Sequence, residues 1–70
     1  MSPAVTVNGT ERDLPEGVTV AGVVESLAGA AQGRGVAVAL EGEVVPRAQW
    51  PTTEVRDGAS IEIVVAVQGG

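Results

Sequence analysis

The residues of this sequence with the clearest chemical potential are its last three, Gln68-Gly69-Gly70. Two glycines in a row carry no Cβ, so they reach backbone angles that other residues resist and pass through a channel too narrow for a side chain. The carboxylate that follows them is unhindered. A carboxylate is a poor electrophile, and transfer of its acyl group requires conversion to a better donor such as an adenylate. The chain has no phosphate-binding glycine loop with which to do this itself. The expected reacting group is therefore the Gly70 carboxylate, activated by a separate nucleotide-binding enzyme, with Gly69 threading into that enzyme and Gln68 touching it. With 10 glycines in 70 residues, a terminal pair arises by chance only about 2% of the time, which favours a role.

Other chemistries are restricted by residue type. Cysteine is absent, which removes a thiolate nucleophile, a disulfide and a cysteine metal ligand. Histidine is absent too, so a metal site would have to be built from oxygen alone, and the 9 carboxylates are scattered without a calcium-loop pattern. No metal and no resident cofactor are expected; ATP would be used by the activating partner. All 4 basic residues are arginines. A carrier of an activated acyl end benefits from having no lysine amine to attack it, although coding bias toward arginine is the better account of that usage. A net charge of −5 disfavours nucleic acid and anionic membranes and suits a basic protein surface. No apolar run approaches a membrane span, and the N-terminus has neither a basic region nor a signal-like apolar stretch, so a cytoplasmic location is expected.

These ends need a scaffold, and 70 residues allow one domain with a marginal core. Only one residue, Trp50, is aromatic, so small aliphatic side chains must do the packing. Ala4 to Asn8 alternates with period two and runs into Asn8-Gly9, a strong hairpin signal; a second strand is predicted from Glu11 to Leu14, stopped by Pro15-Glu16-Gly17. Thr19 then caps a helix in which Val20, Val23, Val24, Leu27 and Ala28 share a face. Gly22 within it weakens its propensity by about 1 kcal/mol, so packing against a sheet must hold it. Val36 to Glu41 alternates again, Glu41-Gly42 turns the chain, and Val44-Val45 forms a short strand ended by Pro46. Arg47 to Thr53 shows no usable period and reads as an irregular connection. Asp57-Gly58 is a turn, and Ser60 to Val67 is the best strand in the chain. The order implies an α+β arrangement, one helix laid across a mixed sheet of four to five strands, as a domain over residues 1–67 followed by a flexible Gly-Gly tail over 68–70.

Parity along the strands assigns two faces. Val36, Val38, Leu40, Ile61, Ile63 and Val65 are expected beneath the helix. Thr6, Ala37, Ala39, Glu41, Glu62, Val64 and Ala66 then lie on the opposite face, beside the tail. From this set Glu62, Val64, Ala66, Ala37 and Ala39, with Gln68, are the candidate partner-binding residues, apolar contact giving affinity and the acidic rim giving steering. Trp50 is expected to cover part of the core from a loop, and Arg47 is assigned no chemistry.

Taken together, VTVNG (5–9), LPEGVTV (14–20), VAVALEGEVVPR (36–47), Trp50, the Asp57-Gly58 turn and IEIVVAVQGG (61–70) resemble the ThiS family, sulfur carriers of thiamine biosynthesis, over essentially the whole chain. The VPR…W…T and AVQGG pieces carry most of the specificity. The resemblance implies the β-grasp, ubiquitin-like fold. It also implies partners: an adenylyltransferase resembling ubiquitin activators, which couples ATP to Gly70; a sulfur donor system, which converts the end to a thiocarboxylate; and a thiazole synthase, which takes the sulfur. The chain would be a co-substrate and not an enzyme. Three departures bear on stability and loop detail: Glu41-Gly42 stands where Asn-Gly is common, Gly22 where a polar helix former is usual, and the segment from Gly29 to Gly35 is unusually glycine-rich. Alternatives are the small subunit of molybdopterin synthase, which is usually longer and richer in phenylalanine, a sulfur carrier for cysteine or another metabolite, and a protein modifier or binding module whose glycine pair forms amides with lysines.

Overall fold

The computed structural model of the chain describes residues 2–28 and 35–65. The first strand, β1 (Ala4–Val7), turns at Asn8 and Gly9 into β2 (Thr10–Asp13). Both turn residues are left-handed, with φ of 51° and 84°, which is the two-residue hairpin turn whose twist matches that of the flanking strands. A turn this tight pairs Thr10 directly with Val7, so β2 begins one residue earlier than the alternation predicted. Leu14 correspondingly leaves the ladder. It is buried, and its N–H donates to the Pro3 carbonyl at 2.9 Å.

The predicted cap forms: Thr19 Oγ1 accepts from the Gly22 N–H at 3.3 Å and opens helix α1 (Val20–Ala28). Val20, Val23 and Val24 are buried, as their spacing requires. Leu27 continues the same stripe in the last turn but is an exposed apolar residue. Gly22 has a packing reason to be small, because a Cβ built there would come within 3.2 Å of a Val18 methyl.

β3 (Val36–Leu40) and β4 (Glu43–Val44) form a second hairpin through Glu41 and Gly42, with φ of 52° and 82°. The segment expected to be irregular is a 3-10 helix, Arg47–Thr52, and this corrects the sequence reading. It is built on Pro46, whose carbonyl accepts from the Gln49 N–H at 2.8 Å. It is held by Trp50, buried, with its indole Nε1–H donating to the Val45 carbonyl at 2.8 Å. Thr53 to Val55 then run beside the start of α1, with Val20 N–H bonded to Thr53 C=O and Val55 N–H to Val18 C=O, both at 2.9 Å.

The last strand, β5 (Ser60–Val65), enters the middle of the sheet, parallel to β1 on one side and antiparallel to β3 on the other. The five strands are ordered β2-β1-β5-β3-β4. This is a mixed sheet with one α-helix packed across it, the β-grasp arrangement. Val5, Val7, Val38, Ile61 and Ile63 from the sheet, Val20, Val23 and Val24 from α1, and Leu14, Val45, Trp50, Val55 and Ala59 from the connections make the core. Val36 and Leu40 pack against it as partly buried residues. Among the described residues no polar or charged side chain is buried, so the core is held by apolar burial and satisfied backbone pairing.

Candidate functional site

The outward face of the sheet is assembled by register. Ala37 lies directly opposite Val64 and Ala39 opposite Glu62 across the β3–β5 pair, while Val44 lies opposite Ala39 on its other side. Directly opposed residues point to the same face. Their partners one position along, Val38, Ile61 and Ile63, are buried, so this face is the one turned away from the helix. Ala37, Glu62 and Val64 are exposed and Ala39 is half-buried, which places four of the predicted partner-binding residues side by side as parity required.

Two large apolar side chains dominate it, Val64 at 64% exposed and Val44 at 76%. Val44 was not among the residues singled out from sequence. The signal was nevertheless there: a two-residue turn at Glu41-Gly42 pairs Leu40 with Glu43, and Val44 must then stand beside Ala39. On the other half of the face, Thr6 pairs with Glu11 and Ala4 with Asp13, and these carboxylates extend the acidic side begun by Glu62. The face thus has an apolar half on β3, β4 and β5 and an acidic half toward β2.

Glu41, expected on the acidic rim, is engaged within the fold. Its Oε2 accepts from the Ser60 N–H at 2.8 Å, while its own N–H donates to the Ser60 carbonyl at 2.8 Å. It therefore anchors the start of β5. Asp57 does the same for β1, its Oδ1 accepting from the Ala4 N–H at 2.8 Å. Trp50 serves the core, being only 5% exposed, and the Arg47 guanidinium lies 5.9 Å from its ring centroid, within cation–π range. Ala66, Gln68, Gly69 and Gly70, with the end of the predicted strand at Val67 and the boundary between 67 and 68, lie outside the described residues. They follow in sequence from Val65 at the end of β5. No helix among the described residues is long and apolar enough to cross a membrane.

The central strand β5 borders an exposed apolar face, and in the sequence three residues separate its end at Val65 from the glycine pair. A model of the ThiS family matches residues 5–70. The chain belongs to the ThiS family. Members of the ThiS family are small sulfur carrier proteins that work with partner enzymes for activation and sulfur transfer. Two solved structures agree with this over nearly the full length. The crystal structure of the thiamine biosynthesis protein ThiS from Geobacter metallireducens is 32% identical, with a TM-score of 0.76, and the match covers 96% of this chain and 99% of that one. The solution structure of a thiamine biosynthesis protein from Geobacter metallireducens is 35% identical, with a TM-score of 0.79, covering 96% and 87% respectively. No curated protein gives a significant match. The α+β, β-grasp class read from the sequence is the fold of this family.

Proposed function

We propose that this ThiS-family chain carries the sulfur used to form the thiazole of thiamine, on the carboxyl group of Gly70. The Gly70 carboxylate attacks the α-phosphorus of ATP on an adenylyltransferase resembling ubiquitin activators, and pyrophosphate leaves. A sulfur donor system then displaces AMP with sulfur at the sulfide level, leaving a thiocarboxylate. A thiazole synthase takes that sulfur, and the carrier returns with a carboxylate. ATP belongs to the partner; the chain itself brings no cofactor and is a co-substrate acting in the cytoplasm.

The observation that carries this reading is the family match running through residue 70, so that it includes the glycine pair and not the scaffold alone. It is supported by the outward face. Ala37, Ala39, Val44 and Val64 offer apolar area, and Glu62 with the β2 carboxylates offers charge, on the sheet that has β5 at its centre. Ala66 and Gln68 complete the partner-binding set, and Gly69 admits the end to the partner's channel. Apolar contact at the centre of such a patch supplies affinity, and the charges around it steer encounter with a basic partner.

Intact-mass analysis tests the proposal. After incubation with the activating enzyme, ATP and a sulfur donor, the protein gains the mass of one oxygen-to-sulfur exchange, and fragmentation places it on Gly70. Exchange at any other residue, or none in the presence of all three components, rejects it.

A further inference from the structure

β1 hands its pairing with β5 to a side chain. In the parallel pair, Thr6 N–H donates to the Ala59 carbonyl at 2.9 Å and Asn8 N–H to the Ile61 carbonyl at 3.0 Å. Continued by the same evenly spaced pattern, the next bonds would run from Ile63 N–H to the Asn8 carbonyl and from the residue-10 N–H to the Ile63 carbonyl. The backbone cannot provide them, because it turns left-handed at Asn8 and Gly9 to enter the β1–β2 hairpin. The Asn8 carboxamide provides both instead. Its Oδ1 accepts from Ile63 N–H at 2.8 Å, and its Nδ2 donates to the Ile63 carbonyl at 3.1 Å.

A carboxamide has the donor and acceptor of a peptide group. Aspartate of the same length has only acceptors when ionised, and serine has a single hydroxyl. Asparagine also tolerates the left-handed backbone of the turn. One residue therefore turns β1 away and stands in for its missing continuation. Ile63 is two residues before the end of β5, and on its other side β5 is paired with β3 from Leu40 opposite Ile61 to Val36 opposite Val65. Without Asn8, the last three residues of β5 are held from the β3 side alone.

We propose that Asn8 is a positioning residue for the sulfur-carrying end: by pairing with both main-chain groups of Ile63 it fixes the alignment of the end of β5, the strand from which the sequence continues to Gly70. This rests on the reading of Gly70 as the reacting group. Asn8 acts on the strand and not on the docking face, so its loss affects presentation of the end to the activating enzyme more than association with it.

Two variants of the full chain test this, Asn8→Gly, which keeps the turn and removes both bonds, and Asn8→Asp, which keeps the acceptor and removes the donor. Amide exchange is followed at Ile63, with Val55, bonded to Val18, as the reporter of global opening. Adenylation by the activating enzyme is followed with the carrier as varied substrate. In Asn8→Gly, Ile63 exchange rises by about tenfold or more while Val55 is unchanged, and kcat falls by about fivefold or more with KM within about twofold. Asn8→Asp lies between this variant and the original chain in both readouts. Equal acceleration at Ile63 and Val55, or a rise in KM with kcat unchanged, overturns the proposal, as does the absence of any effect. If the unaltered chain is not adenylated, the proposed function fails. The positioning role is then decided by residual dipolar couplings at Val64 and Val65, which shift in Asn8→Gly if Asn8 sets the strand's direction and stay fixed if it does not.

Discussion

Neighbouring residues on β5 have opposite jobs. Ile63 is 9% exposed and sits in the core, whereas Val64 stands outward opposite Ala37. Truncation of Ile63 to alanine removes buried methyl groups and leaves a void beneath α1, so Ile63→Ala should lower stability by about 2–5 kcal/mol, a large part of what a small domain has. Val64→Asp should leave the thermal midpoint nearly unchanged, since the new carboxylate stays in water, and weaken the complex with the activating enzyme by putting a charge into an apolar contact. Thermal unfolding and partner titration of both proteins check this, and reversal of the two behaviours would mean that the strand's faces are exchanged. The parity of Ile61, Ile63 and Val64 was legible because a half-buried strand alternates strictly. The second role of Asn8 was not. Asn8-Gly9 is fully accounted for as a turn, and nothing in the sequence shows that a carboxamide released at that bend meets Ile63, 55 residues away.

At the level of elements, α1, β1, β3 and β5 announced themselves through period, capping and turn residues. The 3-10 helix did not. Six residues with three to a turn make only two turns, too few to produce a repeat, and Pro51 inside it reads as a break. Besides the turn bonds within the segment, the indole N–H of Trp50 on the Val45 carbonyl ties the helix to the chain just after β4. Trp50→Phe should keep the fold but cost about 1–3 kcal/mol, because a buried carbonyl loses its donor as well as some packing. A denaturant titration with an unchanged slope and a lower midpoint is the expected result. A loss of less than the range given would mean that apolar packing alone anchors the helix. The one-residue shift of β2 has a similar cause: strand composition predicts where pairing is favourable, but the left-handed turn at Asn8 and Gly9 dictates where it begins.

At the scale of the whole molecule, the proposed function divides the work between a scaffold and a reacting end. The core described in residues 2–65 lies between α1 and the inner sheet face. If the tail threads into the activating enzyme as proposed, Gly69→Val should leave the thermal midpoint within experimental error while abolishing adenylation, because a branched Cβ would obstruct a channel shaped for backbone. Normal thiocarboxylation of that variant would rule out steric threading. The chain's charge of −5, carried in part by Glu11, Asp13 and Glu62 on the outward face, adds that association with a basic partner should slow as salt is raised.

The pairing of Asn8 with Ile63 also bears on the chemical lifetime of the protein. In an Asn-Gly dipeptide the glycine nitrogen is unhindered and can attack the asparagine side-chain carbonyl, releasing ammonia and closing a succinimide that water opens to aspartate or isoaspartate. Asparagine is accordingly among the heat-labile residues. Here both polar atoms of that carboxamide are occupied by Ile63, so closure must wait until the end of β5 opens. Ageing at alkaline pH should convert Asn8 more slowly in the folded chain than in a free peptide of sequence VTVNGTE, as read by the mass gained when amide nitrogen is exchanged for oxygen. Once converted, the residue has no donor for the Ile63 carbonyl. An old molecule would thus keep its core and its glycine pair and still lose the strand alignment that its own turn had been protecting.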